Sequence, residues 1–200
     1  MNSGEDQPRP DRGWSELTMD QDLVVLVDDD GNACGTADRV AVHGPDTPLH
    51  YAFSCHLVDE NGRLLITRRA LGKKTWPGVW TNSFCGHPRP GETAENALHR
   101  YSRRELGVDV DDVRPILPDF RYRAVDAGGV VENEICPVFL ARPLGHVEPN
   151  PDEVMECAWA SVDDIWAIAH RTPWLLSPWF VEQVHALGPA ADAYPRRAAL

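Results

Sequence analysis

Apolar and polar positions along this chain repeat with a period that switches between two and about 3.6, and the switches mark its elements. LVVLV (23–27) followed by DDDGN predicts a strand and a turn. YAFSCHLVDENGRLLITRR holds two apolar runs around Asp59-Glu60-Asn61-Gly62, which predicts an antiparallel hairpin. TAENALHRYSRREL (93–106) contains neither Gly nor Pro, opens on Thr93 as an N-cap and stops at Gly107, so it predicts one helix. FRYRAV, VVENEICPVFLA and EVMECAWASV predict further strands, with Pro137 marking an edge or a bulge. SVDDIWAIAH and LLSPWFVEQVHAL predict two closing helices, the second interrupted or begun near Pro178. No repeat and no low-complexity block interrupts the pattern. The expected class is α/β (α+β), a mixed sheet flanked by helices.

Composition narrows what such a fold can do. With 200 residues, 42% of them hydrophobic, the chain can bury one core, so a single compact domain is expected over 21–185. Residues 1–20 are polar and rich in Pro and Gly, with Trp14 to bury, and are expected to be a disordered tail in which Met19 is a candidate alternative start. Residues 186–200 are expected to be a C-terminal tail. The net charge of −12 argues against nucleic acid or an anionic membrane as partner, since both reward a basic face. An anionic ligand must therefore meet a local basic cluster. The five cysteines (Cys34, Cys55, Cys85, Cys136, Cys157) are odd in number and include no Cys-x-x-Cys pair, which suits neither a disulfide framework nor a zinc ribbon. The chain has no apolar run of signal-peptide type and none long enough to span a membrane. A soluble, cytoplasmic monomer acting on a small molecule is expected.

Three features suggest chemistry. On the 93–106 helix, Ala94, Leu98, Tyr101 and Glu105 fall on one stripe at about 100° per residue. A carboxylate on that apolar face is costly unless it is paired or bound to metal, although its place near the helix end also allows a capping or solvated role. In VENEICPVF, alternation puts Glu132, Glu134 and Cys136 on one face, the two carboxylates about 7 Å apart. Taken alone, this pair equally fits an acidic solvent edge. His43 lies in the loop VHGPDTPLH, His50 opens the next strand, and His87 follows Cys85 by two positions. Three histidines and two same-face carboxylates would suit a divalent ion, Zn²⁺, Mn²⁺ or Mg²⁺, but spacing alone does not bring them together.

GHPRPGETAENALHRYSRRELGV matches the Nudix box, G-x5-E-x7-R-E-U-x-E-E-x-G-U, at Gly86, Glu92, Arg100, Glu105, Gly107 and Val108. It departs from the box at Tyr101, Ser102 and Arg104. Together with TRRALGKKTWPGVWTNSFCGHP, FRYRA, VENEICPVF and TPWLLSPW, the chain resembles the type 1 isopentenyl-diphosphate delta-isomerases over roughly residues 20 to 185. The resemblance implies a Nudix-type mixed sheet between helices and a proton-transfer isomerisation of isopentenyl diphosphate to dimethylallyl diphosphate through a tertiary carbocation. It makes Cys85 and Glu134 the two acid/base groups, with Tyr122 beside Glu134 and Trp179 facing the cation. It gives His43, His50, His87, Glu132 and Glu134 to one Mn²⁺, Zn²⁺ or Mg²⁺, and Glu105 to a second ion, Mg²⁺, that bridges to the diphosphate. For the diphosphate it favours Arg39, Arg69 and Lys73, with Arg68 and Lys74 left as solvated charges. A phosphate-binding arginine of some relatives falls at Tyr101, so that contact is missing or taken over by Arg100.

Two other functions remain open at this point. A Nudix hydrolase of nucleoside diphosphate derivatives would need the box carboxylates that Tyr101 and Arg104 replace. A non-catalytic Nudix-fold sensor would not need Cys85 or the Glu132/Glu134 pair.

Overall fold

The computed structural model describes residues 22–188 and Tyr194. The expected tail over 1–20, with Trp14 and Met19, lies outside them, as does most of 186–200.

Twelve strands, three α-helices and one short 3-10 helix (Pro173–Leu175) make up the described chain. β1 (Leu23–Val27) pairs antiparallel with β2 (Ala33–Asp38), and β3 (His50–Tyr51) joins them to β10 (Val131–Ile135) and β9 (Arg121–Val125) in the order β2-β1-β3-β10-β9. A four-stranded sheet has the order β7 (Phe84–Gly86), β4 (Phe53–Leu57), β11 (Val138–Pro143), β8 (Val110–Leu117). A third sheet joins β12 (Val154–Ala160), β5 (Leu64–Arg69) and β6 (Trp80–Thr81). Helices α1 (Ala94–Leu106), α2 (Val162–Arg171) and α3 (Pro178–Leu187) cover the sheets.

Alternation along β4 shows how the helices are held. Phe53, Cys55 and Leu57 join a core cluster with Leu98, Tyr101 and Leu106 of α1. The intervening Ser54 and His56 face the other way, where they bond to Gln183 of α3. The second cluster lies there, with Ile165 and Ala169 of α2 and Phe180 and Val184 of α3. The sheet therefore lies between helices, as its pattern predicts, and both strand faces are buried.

The turn at 59–62 forms, with the Gly62 amide donating to the Asp59 carbonyl, but the predicted hairpin does not. Beyond the single bridge Val58–Leu64, β4 goes to one sheet and β5 to another. Burial of both strands on both faces gives each its own outer partners, and local alternation carries no information about them. VVENEICPVFLA likewise divides at Cys136-Pro137 into β10 and β11, which lie in different sheets. Proline has no amide to give a ladder, and its carbonyl accepts from Ser54 at the crossing.

Helix α1 begins as predicted, with the Thr93 hydroxyl accepting from the Asn96 amide at 3.2 Å. It ends at Gly107, whose φ of 61° is left-handed and whose missing Cβ would stand 2.7 Å from the Glu148 carbonyl oxygen. α3 begins at Pro178 and is not interrupted there, the second of the two expected outcomes.

His56 gives the fold a pH dependence of defined sign. Burial presses its pKa down to about 4 from 6.5, with the bond to Gln183 opposing. Between those values the unfolded chain binds a proton that the folded chain refuses. Stability should therefore fall as pH drops from 6.5 towards 4 and be indifferent to this group above 6.5, with a loss on the order of 3 kcal/mol. Urea unfolding of wild type and His56→Asn across that window checks it, the variant showing the flatter slope. Parallel slopes would clear His56 of the effect.

Candidate active site

The loop 39–49 and the strands β3, β7 and β10 bring the predicted histidines and carboxylates together. β10 runs parallel to β3 with Glu134 opposite His50, and antiparallel to β9 with Glu134 opposite Tyr122. Nitrogens of His43, His50 and His87 and an oxygen of Glu134 all lie within 4.8 Å of one another. The Nε2 atoms of His87 and His50 stand 3.1 Å and 3.4 Å from the same Glu134 Oε1. Glu132 joins through His43, Oε2 to Nε2 at 3.0 Å.

Two observations fit this cluster to a cation. His43 Nε2 and Glu132 Oε2 are buried and face each other at 3.0 Å without forming a hydrogen bond, which is costly unless a further partner joins them. His50 donates Nδ1–H to the Pro48 carbonyl at 2.9 Å, so that the neutral ring would present its Nε2 lone pair to an ion in the cluster. A mixed nitrogen and oxygen donor set of this kind is what a divalent ion takes. Burial opposes charge on Glu134, but hydrogen bonds from His50 and His87 hold it ionised well below the usual range. Burial and its neighbouring histidines press His87 down, against the pull of Glu134.

A cavity of about 300 Å³, the size for a small molecule, opens beside the cluster. His43, His87, Glu132 and Glu134 line it with Cys85, Tyr122 and Trp179. Arg39, Arg69, Lys73, Lys74 and Arg104 supply cations to the same cavity, and Glu105 lies among them. Each cation already has a companion: Arg39 pairs with Asp22 at 2.5 Å, and Lys73 and Arg104 both pair with Glu153. Arg69 donates to Thr75, and its guanidinium lies 5.6 Å from the Trp179 ring centroid. Lys74, read as solvated from sequence, lines the cavity and donates to the Val40 carbonyl. Arg68 stays on the surface with Glu156. Glu105 is on the buried stripe of α1, and burial raises its pKa to about 7 despite the nearby Lys73.

The thiol sits in a polar frame. Cys85 Sγ lies 3.2 Å from Ser54 Oγ and 3.4 Å from Asn82 Oδ1. Burial holds it as a thiol, pushed up to about 12, with Ser54 and Asn82 opposing. Burial and the charge of Glu134 keep the Tyr122 phenol protonated. Trp179 donates Nε1–H to Asn82 Oδ1 at 3.0 Å and packs edge-on against Trp76 at 5.2 Å. Asn82 thus ties the thiol to the indole, a role that nothing in its spacing signals. Trp76 is buried, whereas Trp174 is 75% exposed.

Arg100 does not take over a ligand contact in the cavity. Its guanidinium grips both oxygens of Glu92 and donates to the His87 carbonyl, so it braces the loop that carries His87. Arg104, not Arg100, is the box arginine that lines the cavity. The Tyr101 ring fills the space over Gly86, where a Cβ would meet it at 2.6 Å.

These sheets, helices and box contacts are those of a NUDIX domain, and that family matches residues 48–180. The chain is 22% identical to the crystal structure of DR0079 from Deinococcus radiodurans, with a TM-score of 0.63 over 82% of this chain and 98% of that one, a likeness of fold. It is 56% identical to the isopentenyl-diphosphate Delta-isomerase of Clavibacter michiganensis subsp. michiganensis over 173 residues, 86% of this chain and 89% of the relative. It is 54% identical to that of Agromyces mediolanus over 182 residues, 90% of this chain and 88% of the relative. The chain belongs to the isopentenyl-diphosphate Delta-isomerase family of NUDIX domains.

Proposed function

We propose that this enzyme interconverts isopentenyl and dimethylallyl diphosphate, with Cys85 and Glu134 as the acid/base pair. The observation that carries this reading is a thiol and a carboxylate lining one small cavity whose other residues include cations. Moving the double bond needs one proton delivered to the terminal alkene carbon and another removed from a neighbouring carbon. Cys85, held as a thiol, keeps its proton until a base takes it, and it needs no hydration shell against an isoprenoid chain. Tyr122, opposite Glu134 on β9, keeps its own proton beside that carboxylate.

Trp179 turns an electron-rich face to the tertiary cation formed between the two transfers. Such a contact is worth about 2 kcal/mol when desolvated. Trp76 and Tyr122 pack against it and keep water away. Arg39, Arg69 and Lys73 hold the diphosphate, the arginines as forks and the lysine as a point charge. A Zn²⁺, Mn²⁺ or Mg²⁺ ion held by His43, His50, His87, Glu132 and Glu134 would withdraw charge from the Glu134 carboxyl. Glu105, which lines the same cavity, would supply a carboxylate to a Mg²⁺ ion that neutralises the diphosphate. The five free cysteines suit a reducing compartment, so we assign the cytoplasm. No helix among the described residues is long and apolar enough to cross a membrane.

Hydrolysis at the box would need carboxylates where this chain has Tyr101, a buried ring, and Arg104, paired with Glu153. Proton NMR of the protein with isopentenyl diphosphate, Mg²⁺ and D₂O tests the reading. Deuterated dimethylallyl diphosphate is expected; unchanged substrate with the metal site filled would sink it. Glu105→Gln should raise the Mg²⁺ concentration for half-maximal rate by about tenfold or more, read by magnesium titration of the same assay. An unchanged requirement would remove Glu105 from the role.

A further inference from the structure

The proposed reaction leaves unused a line of buried polar side chains that ends at the thiol. Tyr194 Oη lies 2.7 Å from His56 Nδ1, and His56 Nε2 lies 2.9 Å from Gln183 Oε1. Gln183 Nε2 donates to Ser54 Oγ at 2.9 Å, and Ser54 Oγ lies 3.2 Å from Cys85 Sγ. His56, Gln183 and Ser54 are 1% exposed or less, and none of them lines the cavity.

The chemistry of each group fixes the direction of the next bond. An amide oxygen only accepts and an amide nitrogen only donates. His56 must therefore give its Nε2 proton to Gln183, which leaves a bare Nδ1 to accept from the Tyr194 hydroxyl. Ser54 Oγ already accepts from Gln183, so its own proton is free for a sulfur. Cys85 Sγ is nearer than Cys136 Sγ, which lies 3.5 Å away and can fill the second lone pair of that oxygen. A neutral His56, its pKa pressed by burial to about 4, preserves this polarity at ordinary pH.

We propose that Ser54, Gln183 and His56 are positioning residues for the Cys85 thiol, a one-way hydrogen-bond chain that aims the Ser54 hydroxyl at Sγ. The sulfur then accepts from the core side and keeps its own proton directed away from Ser54. When that proton leaves, a donor already stands at the sulfur and nothing has to reorganise. The inference rests on the role given to Cys85 above.

Wild type, Ser54→Ala, Gln183→Met and the double variant, assayed with isopentenyl diphosphate, decide it. Each single change should lower kcat by about tenfold or more, with KM unchanged to within about twofold. The double variant should be no slower than Ser54→Ala, because Gln183 acts through Ser54. The infrared S–H stretching band of Cys85, assigned by its loss in Cys85→Ser, should shift in Gln183→Met. Full kcat in Gln183→Met, losses that multiply in the double variant, or an unmoved band would each overturn the proposal. Should Ser54→Ala not fold, Gln183→Met and its infrared band carry the decision. A folded wild type without isomerase activity would defeat the proposed function, while the band would still decide the positioning.

Discussion

Replacing Cys85 with serine is expected to lower kcat by about 10²- to 10⁴-fold, the range a positioned acid or base supplies. The substitution is nearly isosteric, and serine can keep the contacts to Ser54 and Asn82, so the thermal midpoint should hardly move. What changes is the acidity of the group. An alcohol releases its proton far less readily than a thiol, and this position is already buried enough to raise the thiol to about 12. NMR rates and a circular dichroism melt on the same preparation check the two halves. A variant that melts like wild type and turns over within a few-fold of it would remove Cys85 from the proton path.

Glu134→Gln should lose turnover and bound metal together. The carboxylate is the common partner of His50 and His87, so the amide both weakens the donor set and loses the site for a proton. Loss of metal affinity by about 10- to 100-fold or more is expected, measured by elemental analysis after dialysis. Rate under saturating metal then separates the two roles. His43→Gln, whose neighbour is Glu132, should regain turnover when the ion is in excess. Glu134→Gln should not, and recovery there would leave Glu134 a ligand without an acid/base role.

Much of the local structure was legible in the chain. Helix α1 and its caps could be read because Thr93, the apolar stripe and Gly107 act within one helix. Glu132 and Glu134 could be assigned a common face because a strand alternates without help from its neighbours. Both carboxylates are buried beside histidines rather than on a solvent edge. The hairpin at 59–62 misled because its turn is local and real while the partners of β4 and β5 are remote. β2 and β8 gave no clear signal: ACGTAD is short and half exposed, and VDDVRPIL places charges and a proline in a strand held by β11.

Residue types and spacing by themselves determined the helices, the paired carboxylate face and the box with its departures at Tyr101, Ser102 and Arg104. Each of these depends on neighbours within about one turn of helix or a few strand residues. Tertiary structure alone decided that Arg100 braces a loop, that Lys74 and Arg104 reach the cavity, and that Ser54 and Asn82 frame the thiol with Gln183 and His56 bonded in turn behind Ser54. Those contacts join residues as far apart in sequence as 129 positions, Ser54 to Gln183. Such pairs meet only once sheet order and helix packing have been set, and no short-range period encodes them.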